Sequence, residues 1–295
     1  MIWKVWIWKE IDAPMLRIVT DGAADMPAGW EKEYDIQVLP INIQFGDKTF
    51  LGGVDLSDED FYRLVDESGK IPKTSQPSPF QFRQFYEGIA KAGDTILSLH
   101  VTSKLSGTFE SAMLAARELA GRYTILPLDS GAGSAALGMM CREARLLERA
   151  GAAVQQIVER MEQIRRSVQI VLTLDKLDYA RMSGRVSALQ AALASALHVK
   201  PIIALKEGLL DMAERVRTRG RAIDRVLEML QQRFGQQAVY VAAVHARDLA
   251  SGQALFERAR KLFNVKEIIL TELSIAVAAN LGPGTVGLII YPVGD

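Results

Sequence analysis

The 295 residues carry 35 Lys plus Arg against 35 Asp plus Glu, with 49% apolar and 24% charged residues. That balance supplies a sizeable core, excludes a disordered chain, and leaves no net field to draw in nucleic acid or an anionic membrane. The single cysteine, Cys141, excludes an intrachain disulfide and a cysteine-rich metal site and fits a reducing, cytoplasmic setting.

The chain opens MIWKVWIWKE, with three of its four tryptophans within eight residues. Lys4 interrupts the apolar run and no small-residue cleavage site follows. Residues 1–15 therefore read as an extension rather than a signal peptide, with a membrane-surface anchor as the alternative. No run reaches the length of a membrane span, so no stable insertion is expected.

LRIVTD is the first strand, ending at Asp21–Gly22. VLPINIQFGDKTF reads as two short strands about a turn at Gly46–Asp47. Ser57 caps a helix to Glu67, and Ser78-Pro79-Phe80-Gln81 opens another, with Ser at the cap, Pro at the first helical position and Gln three residues on. TILSLHV is a strand, followed by the turn Thr102-Ser103-Lys104-Leu105-Ser106-Gly107-Thr108 and a helix to Ala120. YTILPLD is another strand; the turn Asp129 to Ser134 leads into a long helix to Ala150.

The second half changes rhythm. VQIVLTL is a strand, LDYARMSGR a short helix, and ALQAALASALHV an Ala-rich helix. IIAL and LLDMAERVR form a hairpin about Glu207–Gly208. Helices from Thr218 to Phe234 and Ser251 to Phe263 flank the strand AVYVAAVHA, and EIILTELS and TVGLIIYP close the chain as strands. The expected class is α/β in two domains after the extension. Residues 16–165 form a mainly parallel sheet between helices, and residues 166–295 a mixed α+β domain, with a cleft between the two.

The turn at 102–108 raises the functional question. It holds Thr102, Ser103, Ser106 and Thr108, with Ser111 just beyond. Strand-to-helix turns at the carboxyl ends of α/β strands are where ligands bind, and helix amino ends offer free N–H groups to an anion. The turn alone equally allows Ser106 and Thr108 to be mere helix caps. A nucleophilic serine would want Gly-x-Ser-x-Gly, which Lys-Leu-Ser-Gly-Thr does not match. A base would have to come from His100, His198 or His245, and with His100 in the preceding strand a Ser106 hydrolase stays open. No P-loop and no zinc-ligand spacing occurs, so no metal or cofactor is expected.

IVTDGAADMP, VLPINIQF, KTSQPSPFQF, LSGTFESAMLAA, LDS, the SGR ending at Arg185, VKPII, ERVRTRGRAI and GPGTVGL follow one another in this order. Together they resemble the DegV family of bacterial fatty-acid-binding proteins, from about residue 16 to the carboxyl end. The resemblance implies two α/β domains with a palmitate-like fatty acid buried in a tunnel between them and no catalysis by the chain itself. It also implies lipid transport, or presentation of the bound acid to the catalytic subunit of a fatty acid kinase. By motif, Thr74 and Ser106 are the hydroxyls expected on the carboxylate, with the Gly107 N–H as a further donor. Arg185 and Arg217 match arginines expected near an acyl phosphate or the partner subunit. Asn280 stands where the family carries a histidine, and Gly22 where it carries serine; the first departure bears on kinase coupling. Asp21 and Asp25 read as turn and cap residues. The apolar faces of 188–197 and 112–119 are candidates for the tail's walls or for plain core packing, which the sequence does not separate. A Ser106-dependent lipid hydrolase and a lipid-sensing regulatory subunit are the competing readings.

Overall fold

The computed structural model describes residues 15–187 and 199–294. The Trp-rich start and the Ala-rich segment 188–198, His198 included, lie outside the described residues. In chain order the first half runs β1 (Leu16–Asp21), α1 (Trp30–Glu33), β2 (Ile36–Leu39), β3 (Asn42–Phe45), β4 (Lys48–Leu51), α2 (Asp58–Ser68), β5 (Lys73–Ser75), α3 (Pro79–Ile89), β6 (Thr95–His100), α4 (Thr108–Glu118), β7 (Thr124–Asp129), α5 (Ala135–Arg149) and α6 (Val154–Ser167). The second runs β8 (Gln169–Thr173), α7 (Leu177–Ser183), β9 (Val186–Ser187), β10 (Lys200–Lys206), β11 (Leu209–Val216), α8 (Arg219–Phe234), β12 (Ala238–His245), α9 (Leu249–Leu262), β13 (Asn264–Glu272), α10 (Ile275–Leu281) and β14 (Val286–Pro292).

A four-stranded parallel sheet has the order β2-β1-β6-β7, and a seven-stranded mixed sheet the order β13-β12-β14-β8-β10-β11-β9. Successive strand residues point to opposite faces, so each sheet has two apolar faces to cover. Val19 and Ile96 turn toward α3 and α4, meeting Phe82, Tyr86, Ala112 and Ala115. Val171, Val241 and Leu288 turn toward α8 and α9. The opposite faces, with Ile18 and Leu97 on one sheet and Ile170 and Leu172 on the other, join α5 and α6 in one core between the sheets. Each fully buried Leu or Ile there contributes about 1.5–3 kcal/mol.

The segment 36–51 forms three strands rather than two, and β5 joins it. Pro40 is the reason: without an N–H it cannot extend a ladder. Leu39 still pairs with Asp21 in the parallel sheet, whereas Asn42 pairs with Leu51 and Ser75 in a separate antiparallel sheet, β4-β3-β5. The chain also turns helical at Ile275–Leu281, between the two expected final strands. An apolar run this short fits strand or helix equally, so its sequence did not reveal α10. Both expected caps form. Ser57 Oγ accepts from Asp60 N at 3.1 Å, and Ser78 and Gln81 exchange the two bonds of a capping box.

Candidate functional site

A cavity of about 840 Å³, counting the solvent at its mouth, opens in the core between the sheets. Ile170, Leu172, Leu205 and Leu210 of the mixed sheet form one wall, and Ala276, Val277 and Leu281 of α10 another. Val101 and Leu105 face them from the end of β6 and the turn after it. The helix face Ala112–Leu119, expected to line the tail's path, does not: Ala112, Ala115 and Leu119 pack beneath the far face of the parallel sheet. Strands β8, β10 and β11 take that place. The other expected wall, 188–197, falls outside the described residues.

Four of the sequence-derived residues meet in this cavity: Thr74, Ser106, Arg185 and Asn280. They come from four separate segments. Thr74 is the middle residue of β5, Ser106 sits two residues before the start of α4, Arg185 follows α7, and Asn280 lies in the last turn of α10. Asn280 Nδ2 donates to Thr74 Oγ1 at 3.3 Å and to Ala276 O at 2.7 Å. Arg185 Nη1 donates to Ser183 O at 2.5 Å. Gly107 borders the site as the residue capping α4 but is not in the wall, and Arg217 lies exposed one residue past β11, away from it.

The hydroxyl-rich turn divides its labour. Ser103 Oγ donates to Asp129 Oδ2 at 2.6 Å, and Thr102 Oγ1 accepts from Lys104 N at 3.3 Å; both fold the turn. Ser106 and Thr108 do not cap α4, whose cap residue is Gly107 with no side-chain bond. Instead Ser106 Oγ lies 2.8 Å from the buried Thr108 Oγ1 and faces the cavity. The first turn of α4 adds backbone N–H groups without intrahelical acceptors.

No described histidine serves Ser106. His100 Nδ1 lies 3.0 Å from Asp21 Oδ2 and its Nε2 lies 2.7 Å from Ser98 Oγ, which in turn sits 2.8 Å from Tyr86 OH. Both ring nitrogens are thus committed inside a chain of fully buried groups. His245 is buried in the mixed sheet, and burial lowers its pKa. Asp21 also accepts from Ala23 N and Val101 N, each at 3.0 Å, which ties the strand ends together. Among the described residues no group of three or more His, Cys, Asp or Glu is placed to hold a metal. Cys141 is buried, and burial pushes its thiol up to about 12.

Gln76 and Ser134 are among the wall residues that escaped the sequence reading. Gln76 contributes its side chain beside Gly107. Ser134 stands at φ 56°, ψ −145°, a region essentially reserved for glycine. Its Oγ donates to Asp25 Oδ2 at 2.5 Å, and Asp25 Oδ1 accepts from Ser274 N at 2.8 Å, the residue capping α10. Asp25 thus joins two walls of the cavity. Burial pushes its carboxyl up to about 7, against the lowering effect of those bonds, with Asp58 adding to the rise. The only signal for Ser134 was its place at the end of the turn 129–134. Nothing in the sequence linked Asp25 to Ser274, 249 residues away.

The family model described as uncharacterised protein, DegV family, matches residues 15–293. A DegV domain-containing protein of Streptomyces coelicolor is 32% identical over 275 residues, covering 92% of this chain and 97% of its own. A fatty acid-binding protein of Thermotoga maritima is 29% identical, covering 92% and 96%. Among solved structures, a DegV family protein from Thermus thermophilus, described for its fatty acid binding, superposes with a TM-score of 0.86 at 30% identity, over 94% of this chain and 99% of that one. No described helix is long and apolar enough to cross a membrane.

Proposed function

The chain belongs to the DegV family, and from that we propose that it is a cytoplasmic carrier of one long-chain, palmitate-like fatty acid. The acid lies in a tunnel between an N-terminal domain, 16–165, and a C-terminal domain, 166–295. The observation that carries this reading is a single cavity with Leu and Ile walls and Thr74 and Ser106 together in its lining. Burying about fifteen methylenes yields roughly 12 kcal/mol before ordering costs. The head group need only be oriented and kept from being an unpaired buried charge. Two hydroxyls and the amino end of α4 suffice for that, and they hold the carboxylate less firmly than a bidentate arginine would.

A carrier of this kind either transports the acid or presents its carboxylate to a kinase subunit. Arg185, in the wall, suits contact with an acyl phosphate, and the exposed Arg217 suits contact with a partner. Asn280 keeps a hydrogen-bond donor where a histidine is expected but carries no charge, so binding is preserved irrespective of kinase coupling. The test is mass spectrometry of protein purified from its host and then denatured. A stoichiometric C14 to C18 acid is the expected result; protein that carries no lipid and takes none up when offered palmitate would overturn the reading.

A further inference from the structure

We propose that Gln76 is a third head-group ligand, its carboxamide donating to the carboxylate beside Ser106, and that Gly107 lacks a side chain to make room for it. The proposal rests on the fatty-acid reading of the same cavity. The main chain at Gln76 is anchored on both sides: Ser75 before it pairs with Asn42 of β3. The Gln76 carbonyl accepts from Asn42 Nδ2 at 3.3 Å, and the rigid Pro77 and the capping box of Ser78 follow directly. The residue is exposed, and its side chain makes no hydrogen bond to any described residue while bordering the cavity. A Cβ placed on Gly107 would stand 2.8 Å from Gln76 Nε2 and 3.3 Å from its Cδ. The carboxamide therefore lies against the Gly107 backbone that opens α4, one residue along the chain from Ser106.

The chemistry suits a carboxylate. An ionised head group offers about four acceptor positions. Thr74 and Ser106 donate one hydrogen each, and a carboxamide adds a donor without adding charge. A carboxamide also presents an oxygen, so by turning over it could accept from a neutral alcohol. A glutamate at this position could only accept and would repel an anion. Because a hydrogen bond to a charged acceptor is the stronger of the two, Gln76 is placed to favour acid over alcohol.

The experiment uses delipidated full-length protein and measures displacement of 1-anilinonaphthalene-8-sulfonate by tetradecanoate and by tetradecan-1-ol. Gln76→Glu should lower the acid-to-alcohol affinity ratio at least about tenfold, and Gln76→Leu about fivefold, the difference between a hydrogen bond to a charged group and one to a neutral group. Gly107→Ala, which pushes the carboxamide away, should move the ratio in the same direction as Gln76→Leu. A ratio unchanged in both Gln76 variants, or equal losses for acid and alcohol, would overturn the proposal while leaving the carrier reading intact. Wild-type protein that binds neither ligand would overturn both.

Discussion

Asn280 Nδ2 donates to Thr74 Oγ1 and so joins the last turn of α10 to the middle of β5 across the cavity. With that lone pair occupied, the Thr74 proton is left to point elsewhere, and the cavity is the open direction. Thr74→Val should weaken fatty acid binding about tenfold, a loss of roughly 1–2 kcal/mol for a hydrogen bond to a charged group. Asn280→Leu should cost less, because it frees Thr74 to rotate without removing its hydroxyl. The two effects should not add. A double-mutant cycle on palmitate affinity should show coupling of about 0.5–1 kcal/mol, and strict additivity would mean that the bond does not orient Thr74.

Ser106 is accessible from the cavity, yet the nearest histidine in sequence, His100, has both ring nitrogens engaged, by Asp21 and Ser98. A serine without a base among the described residues stays a neutral donor. Ser106→Ala should therefore reduce fatty acid affinity about fivefold to tenfold. Turnover of a p-nitrophenyl ester should sit at background in the wild type and stay there in the variant. Ester turnover that Ser106→Ala abolishes would restore the hydrolase reading.

The fold was legible where local chemistry decides it. Ser57 and Ser78 announce their helices because a hydroxyl followed by Asp or Gln at the third position satisfies free N–H groups at that spot. The site was legible only through motif order. No periodicity in the chain says that Thr74, Ser106 and Asn280 will converge, because they lie on three elements that only the tertiary fold assembles. The ambiguity of Ala112–Leu119 has a physical cause. An apolar helix face looks the same whether it covers a sheet or a ligand, and here it covers Val19 and Ile96. Gln76 escaped for the converse reason: a polar residue between a strand and a helix cap is ordinary until Gly107 is seen lying against it.

Gly138 lies inside α5, where alanine is normally the better helix former by about 1 kcal/mol. Here packing outweighs propensity. A Cβ at this position would come within 2.4 Å of Asp25 O, a backbone atom, and 2.6 Å of Met26 Cγ. The side chain of Met26 can yield, but the carbonyl cannot move without displacing the turn that carries Asp25. Gly138→Ala should destabilise the protein by about 1–3 kcal/mol, as other overpacked cores do, read as a lower midpoint in urea with an unchanged slope. A rise in the midpoint would show that the turn after β1 is softer than its contacts indicate.

Asp25 provides a test in pH. Its carboxyl is raised in the folded protein from an ordinary 3.8 to about 7, chiefly by burial. Between those values the folded state holds the proton and the unfolded state has lost it. The contribution of Asp25 to stability is therefore complete below about 3.8, falls as pH rises, and is gone above about 7. Asn in its place keeps an acceptor for Ser274 N and a donor for Ser134 Oγ, without a charge to bury. Asp25→Asn should thus melt higher than wild type at pH 8, by roughly 2–6 °C, and the gap should close as pH falls toward 5. The same linkage reaches the cavity, because Asp25 ties Ser134 in one wall to the cap of α10 in the other. Parting the walls would hydrate the carboxylate, so the open form gains on the closed one as pH rises toward 7 and levels off above it. Release of bound fatty acid should accelerate from pH 5 to pH 7 in the wild type, level off above that, and stay nearly flat in Asp25→Asn. Stopped-flow transfer of the acid to lipid vesicles measures both, and equal pH slopes in the two proteins would assign the titration to another group.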